Sequence, residues 1–468
     1  MPSLRSATPA PQVARQAHVL LYAPTLYELG FKQHHIDGDA LALYAHLERE
    51  GFHCTLLDAY YRALRTPTLA EAIEEADRPV DAVLVHLWTS DAYGPRLRGI
   101  ADELAAVRST FGLPVIAFGP LAVSAADELR THGAIDRAVG LESRPQLVVN
   151  GSGAAADLDM AINRYLRSPA PLTSLTHEDL PYMADAVVSV SASRGCRGRC
   201  TFCAYNADLG GGWLELPIGQ AISDIAHLHR LTGARRFALA DSDFGGTKEA
   251  CRQRAEQLLQ ALAEHDLVGQ LTLSVNVRSE TLEPETVRLL AAAGVKTMLI
   301  GVESLNDKTL HRLYGKRQDI PHLTEIVQAA DECGITAVAS YILWHPWQTM
   351  ESIRLELGAI EVFGRWRIPQ FMARSRLLVI PGTVIEQKIR LAGLLEAAPF
   401  ERRFRFADPE VHAFYGELAG WFEKTAMPVL TGLSEQHADD LTTLAELKIA
   451  EWQWLMTRAG LTGASVGG

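Results

Sequence analysis

The sequence predicts an α/β protein: two successive parallel-sheet units, then a helical region. Three observations carry this. Short apolar runs alternate with helix-like segments twice along the chain, a Gly/Ser/Pro-rich stretch separates the two alternations, and the pattern turns helical near residue 400. Strand–helix alternation implies a parallel sheet covered on both faces. A chain of 468 residues has room for two or three domains. Its 48% hydrophobic and 21% charged content fits packed cores.

Residues 1–17 (MPSLRSATPAPQVARQA) lack the apolar core of a signal peptide and read as a disordered tail. The first unit, 18–147, opens with the strand His18-Val19-Leu20-Leu21-Tyr22. A helix follows from Ala40 to Glu50, stopped by Gly51, with further strands at Thr55–Leu57, Ala82–Val85 and Val115–Phe118. Gly151-Ser152-Gly153 and Ser168-Pro169-Ala170-Pro171 mark a linker over 148–182 around a short helix. The second unit, 183–390, begins at Ala186–Val190. Ile218, Ile222 and Ile225 recur at helical spacing between Pro217 and Gly233. Strands are expected at Arg236–Ala240, Leu271–Val275, Thr297–Gly301, Ala337–Leu343 and Leu377–Ile380, with Gly294 and Gly334 as left-handed helix ends. Such βα units make a partial (β/α)6 barrel or a strongly curved sheet. Residues 391–468 read as helical, with Leu441, Leu444, Trp452 and Leu455 on one core-facing side.

The net charge of −12 gives no electrostatic footprint for nucleic acid or an anionic membrane. A small-molecule partner is expected, a cationic one being favoured. No apolar run approaches the roughly 20 residues of a membrane helix. Of the six cysteines, Cys196, Cys200 and Cys203 crowd together, while Cys54, Cys251 and Cys333 lie scattered. That is a poor disulfide framework and a good metal site in a reducing compartment, so a cytoplasmic location is expected.

The cysteine cluster, Ser193-Arg194-Gly195-Cys196-Arg197-Gly198-Arg199-Cys200-Thr201-Phe202-Cys203, follows an apolar strand directly. Thiolates bind iron–sulfur clusters well, and a cubane wants four ligands. Three close cysteines leave one iron for a ligand that is not protein. Gly195 and Gly198 let backbone amides approach the sulfurs, and Arg194, Arg197 and Arg199 are placed to offset negative charge. A structural zinc site would need a fourth ligand at knuckle spacing.

Cys-x3-Cys-x2-Cys with an aromatic before the last cysteine resembles the signature of the radical S-adenosylmethionine (SAM) superfamily, and the likeness extends over about residues 180–385. The resemblance implies a [4Fe–4S] cluster on Cys196, Cys200 and Cys203 whose free iron chelates SAM. It also implies an electron donor of the flavodoxin or ferredoxin type. Reduction then splits SAM into methionine and a 5′-deoxyadenosyl radical, which abstracts hydrogen from a substrate. Asp241 and Asp243 at the second barrel strand end resemble the residues that contact the SAM amino group. Asn276 and Arg278 end the next strand, where an Arg faces the SAM carboxylate, and Gly301-Val302-Glu303-Ser304 resembles a segment near the SAM ribose and methionine. Pro381-Gly382-Thr383 resembles a turn that closes the barrel. Trp344-His345-Pro346-Trp347-Gln348-Thr349 departs from the usual Gly-x-Pro-Gly-Glu-Thr, so Trp344, His345 and Trp347 are candidate substrate-site residues, with a packed aromatic corner as the alternative.

The first unit resembles the Rossmann-like cobalamin-binding domain that precedes the barrel in one radical SAM class. The matching segments are the first strand, the Leu41–Gly51 helix, Leu57-Asp58, Trp88-Thr89-Ser90 and Phe118-Gly119-Pro120. No Asp-x-His-x-x-Gly occurs, so no histidine would ligate cobalt from below. Phe118 stands where a glycine is usual and is expected to crowd a corrin tail unless its ring turns into the sheet. Three functions follow. The first is corrinoid-free chemistry on a hydroxylated, aminosugar-like molecule in secondary metabolism, resembling the diol dehydratases of aminoglycoside (antibiotic) biosynthesis. The second is cobalamin-dependent C-methyl transfer. The third, disfavoured by the run of SAM-contact positions, is a non-enzymatic Fe–S sensor.

Overall fold

The computed structural model describes residues 16–24, 35–36, 38–58, 68–87, 96–140, 153–176, 180, 186–205, 212–435 and 440–461. Trp88-Thr89-Ser90 and residues 141–152 lie outside them. In the first unit the strands are β1 (His18–Ala23), β2 (His35–Ile36), β3 (His53–Asp58), β4 (Ala82–His86), β5 (Val115–Phe118) and β6 (Arg137–Val139). Five of these form a parallel sheet in the order β3-β1-β4-β5-β6. β1 and β4 are buried along their whole length, as expected of a sheet covered on both faces. Strand order reverses between β1 and β4, so the carboxyl ends there form the crevice where open α/β sheets take ligands.

The second sheet is built from β7 (Val187–Val190), β10 (Arg236–Leu239), β11 (Thr272–Val277), β12 (Val295–Glu303) and β13 (Thr336–Tyr341). β8 (Ser193–Gly195) and β9 (Trp213–Glu215) form a separate antiparallel hairpin. Its order is β13-β12-β11-β10-β7-β2, so the first unit donates the edge strand. At this seam a Cβ on Gly38 would lie 1.7 Å from the Ser189 carbonyl oxygen, so only glycine fits. Burial alternates along β11, β12 and β13. The partly buried set, which includes Asn276, Gly301, Glu303 and Ser340, faces the open side of the curved sheet. The other face packs on the surrounding helices in one large core.

Several expectations are corrected. Leu377–Ile380 is not a strand: the ladder shrinks to one isolated bridge between Trp344 and Arg376, just before the turn at the donor-less Pro381. The helix expected within the linker is Gly153–Arg167, and its Leu158, Ala161, Ile162 and Tyr165 pack into the core of the first sheet, so it belongs to that unit. The C-terminal region begins with a hairpin, β14 (Leu395–Ala398) and β15 (Glu401–Phe404), before its helices. Phe400 at its tip enters the core of the first sheet, and Arg402 bridges Glu128 at 2.8 Å and Glu386 at 3.2 Å. Trp452 and Leu455 are buried as expected, but Leu441 is 71% exposed. No described helix is long and apolar enough to cross a membrane.

Candidate active site at the cysteine loop

The cysteine loop leaves the carboxyl end of β7 through the β8–β9 hairpin, turning at Gly195 with φ +75°. Asp241, just past β10, fixes its base: one carboxylate oxygen accepts from the backbone N–H groups of Ala192 and Ser193, each at 2.7 Å. Arg254 stands 3.7 Å from the other oxygen and donates to the Ala192 carbonyl at 2.7 Å. Asp241 is wholly buried, and burial pushes its carboxyl up to about 6. The structure therefore gives Asp241 a loop-anchoring role and no surface for a ligand.

At Cys196 the Gly198 N–H donates to the sulfur at 3.2 Å. A Cβ on Gly198 would lie 3.2 Å from that sulfur and 3.6 Å from the Arg278 guanidinium, so the glycine lets both approach. Asp243 lies 3.8 Å from the same sulfur, and Arg278 is 3.8 Å from Asp243 and 3.0 Å from Glu280. The Arg278 Nε is buried with no hydrogen-bond partner. The second half of the loop rests on the π-helical turn Thr309–Tyr314. Thr201 N–H donates to the Tyr314 carbonyl at 2.9 Å, Thr201 Oγ1 to Leu313 at 2.7 Å, and Phe202 meets the Tyr314 ring edge-on at 5.2 Å. Burial pushes the Cys196 thiol up to about 11 and Cys203 to about 12, and raises Cys200. Only a bound metal would turn such thiols into thiolates near neutral pH. Among the described residues these sulfurs do not form a group of ligand atoms within 4.8 Å of one another, so the loop suits a cluster better than a single ion.

Across the mouth of the sheet, Glu303 ends β12 with φ +67°, beside a register shift against β13. It pairs with the buried Lys316 at 3.6 Å and accepts from Ser340 at 3.0 Å. Its charge and that of Lys316 are both felt at Cys200. The structure thus gathers Cys196, Cys200, Cys203, Asp243, Arg278 and Glu303. Ser304 is not among them. Its hydroxyl donates to the buried Glu356, which Tyr341 also holds, on the helix side of the strand. Asn276 donates to the Asp241 carbonyl at 3.0 Å and stays partly buried.

The three loop arginines are also reassigned. Arg194 turns to the first unit, 3.2 Å from Asp39 and 4.6 Å over the Tyr165 ring, while Arg197 and Arg199 are exposed. Arg278 is the guanidinium beside Cys196. Trp344 is wholly buried among Phe406, Phe414 and Tyr415, with its ring N–H donating to Met372, so it is a core residue. Trp347 is half-buried against the same core. His345 is buried edge-on to Tyr314, both ring nitrogens lack a partner, and burial lowers its pKa to about 4. Lys316 and Tyr314 escaped the sequence reading. Their only trace there is the Tyr-Gly-Lys run after the Glu303 segment, where Gly315 has φ +66°.

The first unit meets this loop across a cleft lined by His86, Phe118, Gly119 and Pro120 on one side and Ser193 and Arg194 on the other. The Phe118 ring is 2% exposed and stacks on His86 at 4.5 Å, in the core between sheet and helices. The ring is thus packed as a core side chain, although Phe118 remains among the residues that line the cleft.

Residues 190–355 match the model of the Radical SAM superfamily, so this segment carries a radical SAM domain. Over 187 residues it is 25% identical to an uncharacterized methyltransferase of Pyrococcus horikoshii, covering 40% of this chain and 39% of that protein. The chain spans about two fifths of the length of the curated relatives it matches. The structure of the cobalamin-dependent SAM radical enzyme OxsB, with aqua-cobalamin and SAM bound, aligns at TM-score 0.67 and 12% identity, over 95% of this chain and 71% of that one. The radical SAM methyltransferase TsrM from Kitasatospora setae, with tryptophan and a SAM analogue, aligns at 0.57 and 18% identity, over 75% and 72%. The fold is therefore a cobalamin-binding-type sheet domain followed by a radical SAM partial barrel. That superfamily fold implies a [4Fe–4S] cluster and SAM.

Proposed function

We propose that the chain is a cobalamin-dependent radical SAM enzyme that transfers a methyl group to carbon of a small-molecule substrate. The observation that carries this reading is the two-unit architecture, which aligns over 95% of the chain with the cobalamin-dependent SAM radical enzyme OxsB. When bound, the cluster and SAM supply a 5′-deoxyadenosyl radical and the corrinoid supplies the methyl group. The chain's own residues do the rest. Cys196, Cys200 and Cys203 hold the iron. Arg278, with its unpartnered Nε, binds a carboxylate, and the wholly buried Asp243 holds the guanidinium from behind. Glu303, braced by Lys316 and Ser340, fixes the remaining polar groups of SAM at the sheet mouth.

One observation favours corrinoid-free dehydration instead. A Cβ at Gly119 would meet the Leu87 carbonyl at 2.6 Å and the His86 ring at 2.9 Å, so the chain itself occupies the space that this glycine opens. Anaerobic reconstitution with and without hydroxocobalamin separates the two readings. Stoichiometric corrinoid and a product heavier by a methyl group support methyl transfer. No bound corrinoid, with a product that has lost water, supports dehydration.

A further inference from the structure

The amino-terminal end of the first sheet carries a cluster remote from the cysteine loop. β1 and β3 are parallel neighbours, and His18 and His53 are partners at the first position of each. Their rings lie 4.6 Å apart. The turn after the helix Leu69–Glu74 brings Asp77 to the same place, its Oδ1 3.4 Å from His53 Nε2. One nitrogen of each imidazole and one Asp77 oxygen all lie within 4.8 Å of one another. We propose that His18, His53 and Asp77 form a site for one divalent transition-metal ion, zinc being the best match.

The donor set decides the ion. Two imidazoles and a carboxylate suit zinc, cobalt or nickel, whereas calcium and magnesium call for oxygen alone. Three protein ligands leave a fourth place for water, and the site has an open side. The Asp77 side chain is 63% exposed and that of His53 25%, while His18 is buried. His18 is held by two contacts, Nδ1 to the Arg78 carbonyl at 3.0 Å and Nε2 to the Thr55 hydroxyl at 2.9 Å. Coordination through either nitrogen exchanges one contact and keeps the other, which then fixes ring orientation as outer partners of metal-bound histidines do. Asp77 divides its oxygens: Oδ2 faces Arg78 at 3.6 Å and Oδ1 faces His53. Asp81 accepts from the His18 backbone N–H at 2.8 Å and tightens the same corner.

The β-strands run from this pole toward the cleft, so the six residues of β1 separate it from the cleft end of the sheet by about 20 Å. An ion here would tie β1, β3 and the turn at Asp77 together and stabilise the first unit without touching the radical chemistry.

The test uses the full chain with its cluster reconstituted and iron quantified, stripped of loose metal, and titrated with Zn2+ against a chromophoric chelator. One zinc per chain beyond the cluster is expected, with a rise in the unfolding temperature. His53→Gln and Asp77→Asn should each weaken zinc at least about tenfold at unchanged iron content. A chain with Cys196, Cys200 and Cys203 all replaced by Ala should still bind one zinc, which excludes metal on loop thiols. Zinc affinity unchanged in both the His53→Gln and Asp77→Asn chains overturns the site, as does failure of the wild-type chain to take up zinc. The Asp77 side is exposed enough that Asp77→Asn folds whatever His53→Gln does.

Discussion

Lys316 and Glu303 form a buried ion pair, Nζ 3.6 Å from Oε1, at the carboxyl end of β12. Glu303 holds a left-handed backbone at φ +67°, which a non-glycine residue adopts at a cost of about 1–3 kcal/mol. Strain of this kind persists only where surrounding structure enforces it, and here Ser340 and Lys316 both hold the carboxylate. A Cβ on Gly301 would come within 2.8 Å of the Lys316 nitrogen, so the ammonium would have to shift if this glycine carried a side chain.

Removing one partner of a buried pair leaves the other charge uncompensated, at about 3–5 kcal/mol. Lys316→Met is therefore expected to lower stability by that order in denaturant titrations, and Lys316→Met with Glu303→Gln by clearly less. Equal losses in the single and double variants would show that the pair is not coupled.

The cluster assignment has a direct check. Cys200→Ala should abolish 5′-deoxyadenosine formation and most iron–sulfur absorbance. Wild-type rates in that variant would contradict the three-cysteine assignment.

Arg278→Gln and Glu303→Gln should each weaken SAM while iron content stays near wild type. Loss of a charge-assisted hydrogen bond costs on the order of 1.5–3 kcal/mol, roughly ten- to a hundredfold in affinity. Arg278→Gln has a second readout, because a guanidinium beside Cys196 favours the reduced, more negative cluster. Its reduction potential should move to more negative values in EPR-monitored titration, whereas Glu303→Gln should not move it in that direction. Unchanged SAM affinity in both variants would remove these residues from the cofactor site.

Glu451 provides a test of pH dependence. Its carboxylate accepts from the Met372 and Ala373 N–H groups at 2.7 and 2.8 Å, and burial raises its pKa to about 7. The folded chain therefore keeps this proton to higher pH than the unfolded chain, whose glutamates titrate near about 4.3. The associated stability is full below the unfolded pKa and declines as pH rises through about 7. Glu451→Gln should flatten that decline in unfolding curves collected from pH 5 upward. An equally steep decline in the variant would assign it to other groups.

Much of the fold is legible because it rests on local apolar runs. Val115–Phe118 forms β5 between its expected ends, and the Ile218–Thr232 helix stops at Gly233 with φ +75°. The cysteine loop is legible for a related reason, since its ligands and glycines are contiguous. What escapes depends on distant partners. β2 has only two residues, too few to show a period, and exists because β7 offers an open edge at Gly38. Arg194, Arg197 and Arg199 look equivalent in sequence, and only Asp39 and Tyr165, from the first unit and the helix behind it, single out Arg194. Ser304 follows Glu303 directly, yet strand alternation sends it to Glu356 on the opposite face.

Phe118 carries the last prediction. In sequence its ring competes with a corrin tail, so Phe118→Gly would open a groove and gain corrinoid. In the structure the ring is core, stacked on His86 and packed with Leu21, Leu43 and Ile162. Removing it leaves a cavity between sheet and helices, and truncating a buried Phe costs about 3–5 kcal/mol. Phe118→Gly is therefore expected to lower the unfolding temperature of the chain and to weaken hydroxocobalamin binding, because the loosened strand end no longer fixes Gly119 and Pro120 along the cleft. Phe118→Leu should keep most of both properties. Both quantities can be read on one preparation, by thermal unfolding and by corrinoid absorbance after gel filtration. Tighter corrinoid binding in Phe118→Gly than in the wild type would mean that the ring does obstruct the cleft, and the dehydration reading would then take precedence over methyl transfer.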